Sequence, residues 1–588
     1  MWQGCFWFSL ILLLSSIVLS ILLTKKGYKR KQIFNPFNIF FGGLTVSSII
    51  LFIPVYAQIL NKGQFYEEKV FLLSLHNTLR LFLVDGDFQI IIENVVYAQE
   101  EIRAAYSLLA AVLFVVAPFL TFGVVLSFFK NVSAYKEFLL GYASDAFIFS
   151  ELNEKSIEFA RDLKKRNKKR MIIFTDVYVR NEETSYELSE QAREIGAITF
   201  KKDITVVNFR MHSRKRQLNF FIIGEDDDEN VKQTLLLSSR YCDRENISLY
   251  VFSTSTNSEL LLGNAQRGKI KIRRINMVQS LISRTLYDNG IEIFNKAEET
   301  EKEEKLISAV VIGLGLHGTE MSKALPWFCQ MDGYRFEMNV YDIAPNAESR
   351  FSALCPEMMD EKYNHDFETK GEAHYSIDIH SGMNVDTKEF WDSINRLESI
   401  TYAFIALGDD EMNIRTAVNL RTLLEKKGMD ARIDAVVYNV DKKEALSGIT
   451  NYSGQPYKIN FIGDIRSSYS EDVILVSEIE AIALARHLKW GQEEEFWKYE
   501  YNYRSSVASA IHRKLKIECG ISGADKPVGE RTEEELWALR ELEHRRWNAY
   551  IRSEGFTYAP VRNNLAKTHH CLVAFDKLSQ KDQEKDDD

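Results

Sequence analysis

The segment Ala309-Val310-Val311-Ile312-Gly313-Leu314-Gly315-Leu316-His317-Gly318 constrains this chain more than any other. An apolar run of strand character stops at three glycines spaced G-x-G-x-x-G, and a helical pattern through Met321, Leu325 and Trp327 takes over. A strand that ends this way turns tightly, brings a phosphate against backbone amides and packs a helix closely behind itself. The anion then sits at the helix N-terminus, where unpaired N–H groups and the dipole favour it. Gly313, Gly315 and Gly318 are therefore candidate nucleotide contacts. Glycine triplets also occur in ordinary strand–helix turns, so the surrounding chain decides between the two readings.

At 588 residues the chain exceeds a single core, and roughly three or four domains are expected. Its net charge of −10 argues against a general nucleic-acid binder, which carries a basic face. The cysteines (Cys5, Cys242, Cys329, Cys355, Cys519, Cys571) lie far apart without metal spacing. That pattern fits free thiols in a reducing compartment, and no zinc or other metal site is expected.

The first domain, residues 1–135, reads as a membrane domain. Residues 6–23 are apolar and uncharged, close to the ~20 residues a crossing needs. No positive charge precedes them, as it would in a signal peptide; Lys25, Lys26, Lys29, Arg30 and Lys31 follow instead. The positive-inside rule puts the N-terminus outside and this loop in the cytoplasm. Second and third spans are expected at 36–60 and 106–129, the third followed by Lys130 and Lys136. The bulk of the chain is then cytoplasmic, with the lipid bilayer as one partner. The outer segment 65–105 contains an apolar stretch, 70–84, interrupted by His76 and Arg80 and flanked by Glu67, Glu68, Asp85, Asp87, Glu93, Glu100 and Glu101. It reads as an interfacial or re-entrant helix, packing the spans together or lining an opening between protomers. No Thr-Val-Gly-Tyr-Gly-like filter is present, so a selective potassium pore is not expected.

From residue 141 short apolar runs alternate with amphipathic stretches, the pattern of a parallel α/β sheet. Strands are expected at 146–149, 170–175, 196–200, 219–224, 247–253 and 269–275. The first turn of this copy, Ser150-Glu-Leu-Asn-Glu-Lys-Ser156, has no glycine. Residues 141–298 are therefore expected to form a structural or dimerising domain with a degenerate crevice. A charged linker, 299–305, leads into a second copy, 306–485. Its second strand, 335–341, closes on Asp342, where the ribose of an adenosine is held in such folds; a solvated strand-end aspartate is the alternative. Tyr402-Ala-Phe-Ile-Ala-Leu-Gly-Asp-Asp-Glu-Met-Asn413 repeats the order of Phe220-Phe-Ile-Ile-Gly-Glu-Asp-Asp-Asp-Glu-Asn230, which points to duplication. Helix capping accounts for most of these acids. Asp409 and Asp410 are also placed to line the crevice.

These paired units resemble the regulator-of-potassium-conductance family, also called the TrkA N-terminal (TrkA-N) domain, over residues 141–483. The resemblance implies an α/β fold of two Rossmann-like, doubly wound parallel sheets. It implies binding of an adenine nucleotide or dinucleotide (NAD, ATP, ADP-ribose or a cyclic nucleotide) and pairing into an even-numbered homo-oligomer. Movement would then pass to the membrane helices. Gly313, Gly315, Gly318, Asp342 and Asp409 match the family's binding positions; the turn 150–156 departs from them.

A helix over 473–490 is expected to lead out of this copy, followed by an aromatic cluster (Phe496, Trp497, Tyr499, Tyr501, Tyr503) and a helix with Val507, Ile511 and Leu515 inward. After a polar loop, 520–531, the helix 533–554 carries a stripe of Leu536, Leu539, Trp547, Tyr550 and Ile551. Glu543 falls on that stripe, where a carboxylate must be paired. A core arginine such as Arg504 is one partner; a ligand's base or ring held with the neighbouring aromatics is the other reading. Leu542-Glu-His-Arg-Arg-Trp547, Glu554-Gly-Phe556, Lys567-Thr-His-His-Cys-Leu-Val573 and Phe575-Asp-Lys-Leu578 resemble the Ryr domain, the module repeated in ryanodine receptors, over residues 493–585. This small, mainly helical module is fused in bacteria to nucleotide-sensing and conflict-system domains, so the resemblance implies a small nucleotide-like ligand and the bacterial inner (plasma) membrane. Trp547, Lys567 and His569 match its recognisable positions, whereas His570 stands where the family has proline. The charged tail, 579–588, is expected to be disordered.

Three functions compete. A membrane-bound sensor-effector binds a nucleotide signal and moves its spans to permeabilise the membrane or pass ions, with the Ryr fusion pointing to anti-phage defence. A gating subunit for potassium transport explains the paired sheets alone. A nicotinamide-dependent enzyme needs catalytic groups beside the glycine turn, and no such arrangement is evident, so no catalytic residue is assigned. The sensor-effector accounts for every segment.

Overall fold

The computed structural model describes residues 1–25, 36–83, 85–177, 182–263, 268–301, 304–359 and 375–587. The expected basic cluster 26–31 lies outside the described residues. Two compact units emerge, one formed by residues 1–141 with 199–202 and the other by the rest of the chain.

The first unit is helical: α1 (Trp2–Lys25), α2 (Pro36–Ile59), α3 (Tyr66–Phe82), α4 (Gln89–Asn94) and α5 (Glu100–Leu140). Three stretches are long and apolar enough to cross a bilayer, Trp2–Leu22, Ile39–Ile59 and Glu100–Thr121. The third starts earlier than the sequence reading places it, because the helix runs unbroken from Glu100, through Pro118, to Leu140. At 1.5 Å per residue it is about 60 Å long, twice the ~30 Å hydrocarbon thickness. The stretch at 70–84 is helical as expected: α3 buries Val70, Ser74, Asn77, Thr78, Leu81 and Phe82. Asn77 Nδ2 donates to the Tyr56 hydroxyl at 2.9 Å, so α3 packs the spans together. Ser74, Asn77 and Thr78 turn inward while Phe71, Leu72 and Leu79 are exposed, as are Phe8, Ile11 and Val18 of α1. A surface this apolar suits hydrocarbon, and the unit associates with a membrane.

The second unit holds two parallel sheets. The first comprises β1 (Ala146–Phe149), α6 (Glu154–Arg166), β2 (Met171–Thr175), α7 (Glu182–Glu194), β3 (Ile198–Phe200), β4 (Leu218–Ile222), α8 (Asp227–Tyr241), β5 (Ile247–Phe252), α9 (Thr256–Gly263) and β6 (Lys271–Ile275). Its strand order is β3-β2-β1-β4-β5-β6, so the winding reverses between β1 and β4. Helices α10 (Met277–Asn289) and α11 (Ile291–Asn295) follow. The charged linker begins as β7 (Glu298–Glu299), which pairs antiparallel with the start of β8 (Lys305–Ile312).

The second sheet continues with α12 (Leu316–Phe328), β9 (Tyr334–Asp342), α13 (Ala347–Leu354), β10 (Tyr375–Ser381), α14 (Lys388–Arg396), β11 (Tyr402–Ile405), α15 (Asp410–Lys427), β12 (Arg432–Val436), α16 (Val440–Leu446) and β13 (Ile459–Ile462). The order β10-β9-β8-β11-β12-β13 repeats that of the first sheet. Along β8, Ala309 and Val311 enter one core while Val310 and Ile312 enter the other. Burial on both faces explains why this strand reads as a continuous apolar run.

Short helices α17 (Ile465–Ser468) and α18 (Glu471–Ile474) precede α19 (Glu478–His487). The continuous helix expected at 473–490 is broken at 475–477, because the Ser477 hydroxyl caps a new helix by accepting from Glu480 N at 3.4 Å. The C-terminal module comprises α20 (Glu493–Lys498), α21 (Glu500–Glu518), α22 (Glu533–Ser553), β14 (Thr557–Tyr558), β15 (Thr568–His569) and α23 (Gln580–Gln583). Its apolar residues Val507, Ile511, Leu542, Tyr550 and Ile551 share one core with the α12 face of the second sheet. The expected disorder at 579–588 does not hold for the described residues 579–587, which are ordered. Arg540 grips Asp587 through two hydrogen bonds at 2.5 and 3.0 Å, and His544 Nδ1 lies 3.2 Å from Asp586.

Candidate functional site

A crevice opens at the carboxyl end of the second sheet where the order reverses between β8 and β11, the position where open parallel sheets take ligands. Its volume is 330 Å³, and its floor is the glycine turn. The three glycines have different reasons to be glycine. Gly313 has φ +94°, and a Cβ there would lie 2.4 Å from the Ala406 carbonyl oxygen. A Cβ on Gly318 would lie 1.7 Å from the Gly313 carbonyl oxygen, so α12 can dock only without it. Gly315 has φ −75°, an ordinary value for any residue, and a Cβ there meets nothing within 4 Å. Neither backbone nor packing requires glycine at that position, which faces the crevice and is the N-cap of α12. Among the described residues no side chain caps this helix. Its first residues, Leu316 and His317, line the cavity, and a helix N-terminus is where an anion is favoured.

Asp342 lines the crevice, but its carboxylate braces the turn: Oδ2 accepts from Leu314 N at 2.6 Å and Oδ1 from Ala344 N at 2.8 Å. His317, inside the glycine motif, and Tyr438, past the end of β12, face each other with Nδ1 3.2 Å from the hydroxyl. Burial holds His317 below the usual histidine range, in its neutral form. Met383, Val385, Met412 and Val436 give apolar walls. Among the described residues, the lining contains no lysine or arginine. His317 is legible once the motif is suspected; Tyr438 and Met383 carry no local signal.

Asp409 is exposed and caps α15, accepting from Met412 N at 2.9 Å, and it is not part of the crevice lining. Asp410 accepts from Tyr438 N and Asn439 N at 2.9 and 3.0 Å. Asn413 joins the strand ends, accepting from Leu407 N at 2.7 Å and donating to Val436 O at 2.8 Å. The first copy repeats these jobs. Asp226 caps α8, Asp227 accepts from Thr254 N and Ser255 N, and Asn230 accepts from Gly224 N and donates to Phe252 O. The acidic cluster is scaffold in both.

The turns of the two copies differ. In the first, Asn153 caps α6 in a capping box with Ser156, and its amide also donates to Ile223 O at 3.0 Å. The buried Glu151 carboxylate fills the space over Gly224, with Oε2 3.1 Å from where a Cβ on that glycine would lie. The anion position is taken by the protein's own side chains.

In the C-terminal module Glu543 is buried and paired, but not with Arg504. Its carboxylate accepts from Arg546 Nη2 at 2.8 Å, Ser509 Oγ at 3.2 Å and Lys516 Nζ at 3.3 Å. Arg504 instead reaches Glu320 of α12 at 3.0 Å and Glu554 at 2.8 Å. Lys567 donates from Nζ to the Glu554 carbonyl at 2.8 Å, neutralising the C-terminal end of α22. Trp547 is half-buried, stacked on His544 and edge-on to His569 at 4.9 Å. Burial, with Arg562 nearby, lowers the buried His569 to about 4. Trp547 and His569 are brought together; Glu543 and Lys567 serve separate structural contacts. His569, His570 and Cys571 form a donor cluster that spacing rules built on paired cysteines pass over. No protein-family model matches the chain, and no curated protein does.

Proposed function

We propose that the chain is a membrane-bound sensor-effector in which the second sheet, read as a Rossmann-like unit of the TrkA-N kind, binds a small nucleotide. The observation that carries this reading is Gly315: a residue kept small where the protein has no use for smallness, at an uncapped helix N-terminus over a 330 Å³ crevice. A lining without described cations suits a ligand with one or two phosphate charges, such as NAD, ADP-ribose or a cyclic nucleotide, better than a free triphosphate. The first copy, its turn self-capped, serves as scaffold and as a pairing surface in an even-numbered oligomer. The C-terminal segment, read as a Ryr module, buttresses α12 through Arg504 and Glu320, and its Trp547–His569 corner is a second candidate ligand contact.

Residues 141–145 alone separate the end of α5 from β1. A ligand that favours one arrangement of the sheets therefore has a short covalent route to the membrane helix, provided it binds the two arrangements with different affinity. The outcome is permeabilisation or ion flux across a bacterial inner membrane, with the N-terminus outside; anti-phage defence as the setting rests on the module resemblance. Full-length protein in detergent, heated with ATP, NAD, ADP-ribose and cyclic nucleotides in turn, is stabilised by at least one. A flat response to all of them refutes the reading. Dye release from liposomes that depends on the stabilising compound separates an effector from a passive regulator.

A further inference from the structure

At the end of β15 the chain turns, and Cys571 N–H donates to His569 Nδ1 at 3.1 Å. An extended strand would send residue 570 to the face opposite its neighbours. The turn instead stacks the His569 and His570 rings with centroids 5.1 Å apart and planes within 7°. One donor atom from each of His569, His570 and Cys571 lies within 4.8 Å of the others. His569 and Cys571 are buried and His570 is exposed. The Cys571 N–H donates to the Nδ1 lone pair, so in neutral His569 Nε2 carries the proton and Nδ1 is the ligand atom, releasing the Cys571 amide when a metal binds.

We propose that His569, His570 and Cys571 bind a divalent ion of the zinc class. Two imidazoles and a thiolate are the donors that borderline-soft ions take, whereas magnesium and calcium require oxygen. Tetrahedral bonds of about 2.0–2.3 Å place donors roughly 3.3–3.8 Å apart, so the cluster contracts by about 1 Å on loading. The exposed His570 side chain supplies that movement by rotating inward. As the metal–sulfur bond forms, the Cys571 S–H bond breaks and its proton leaves to solvent; no electron is transferred. Water takes the fourth position. Trp547, stacked on His544, packs edge-on against the His569 ring. The site uses none of the crevice residues but shares His569 with the second candidate ligand contact, so the titration is run without nucleotide.

Reduced, metal-free, full-length protein in detergent is titrated with cobalt(II). The expected result is one equivalent bound per chain, with a near-ultraviolet thiolate-to-cobalt charge-transfer band that zinc abolishes. Cys571→Ser loses the band. His570→Ala, at an exposed position, keeps the fold and weakens binding by about tenfold or more. Absence of the band in the parent protein, its survival in Cys571→Ser, or an unchanged titration in His570→Ala overturns the proposal. Should Cys571→Ser fail to fold, the His570→Ala titration decides alone.

Discussion

Two alanine substitutions three residues apart in one turn, at Gly315 and Gly318, should have different consequences. At Gly315 the backbone is already in a region open to all residues and the space beside it is empty. Gly315→Ala therefore leaves the ligand-free protein close to parent stability, the gain of about 0.4–1 kcal/mol from the less flexible unfolded chain being offset by the poorer N-cap that alanine makes. At Gly318 the added carbon would lie 1.7 Å from the Gly313 carbonyl oxygen. A glycine inside a helix normally gains about 1 kcal/mol on becoming alanine. Here the overlap forces α12 off the sheet and reverses the sign, at a cost of about 1–3 kcal/mol or more. Binding separates the two further. A methyl at Gly315 displaces phosphate from the α12 amides, and charge-assisted hydrogen bonds are worth about 1.5–3 kcal/mol each. Loss of two lowers affinity by about a hundredfold or more. At a ligand concentration of about 100 times the parent Kd, ligand stabilises the parent by about 2.7 kcal/mol; a hundredfold weaker variant gains only about 0.4 kcal/mol. Thermal melts of both variants with and without the stabilising nucleotide measure all four quantities. A full ligand shift in Gly315→Ala removes the crevice as the binding site, and parent-like stability in Gly318→Ala removes the close turn.

Other perturbations probe the scaffold. Glu543→Ala deprives buried Arg546 and Lys516 of their shared carboxylate and costs about 3–5 kcal/mol in denaturant unfolding; unchanged stability would return Glu543 to the role of a ligand contact. His512 is fully buried, and burial, with Lys516 beside it, lowers it to about 3; burial and Arg244 lower His212 to about 4. Between the unfolded value of ~6.5 and these folded values the unfolded chain binds more protons. Stability therefore falls as pH drops from 7 towards 4, by up to about 1.4 kcal/mol per pH unit for each histidine. A His512→Gln variant should show a shallower slope, and equal slopes would refute the assignment. Deleting 579–588 removes the Arg540–Asp587 and His544–Asp586 contacts and costs about 1–2 kcal/mol, whereas an unaltered denaturation midpoint would mean that the tail contributes nothing.

Strands β1, β2 and β4 of the first sheet are legible in the sequence because both faces are buried, and each is a short apolar run. The edge strand β10 escapes notice: Tyr375-Ser-Ile-Asp-Ile-His-Ser381 is only partly buried and mixes polar residues along its length. The break at Ser477 and the ordered tail are likewise hidden. Both depend on single caps or distant ion pairs, Ser477 to Glu480 and Asp587 to Arg540, and neither alters the local composition. In the site the glycines declare themselves, whereas the true partner of Glu543 does not. Arg546 lies three residues from Glu543 on the same helix, a short-range pair overlooked in favour of Arg504, which the docking of α12 beside α21 sends to Glu320.

The duplication places the functional difference between the two copies more sharply than either copy does alone. Equivalent residues do equivalent work in both: Asp226 and Asp409 cap, Asp227 and Asp410 hold the following loop, and Asn230 and Asn413 join neighbouring strand ends. These side chains are needed to build the sheet end whether or not anything binds there, so the conspicuous acidic signature of the repeat carries no information about a ligand. The turn after the first strand is different in kind. In one copy Asn153, Ser156 and Glu151 satisfy the helix end and occupy the space above it; in the other glycine leaves both open. A glycine N-cap forgoes roughly a few tenths of a kcal/mol that the first copy gains with a single side chain. A duplicated scaffold that has this remedy in one half and omits it in the other is spending stability at one place only, and that place is where a phosphate would repay it.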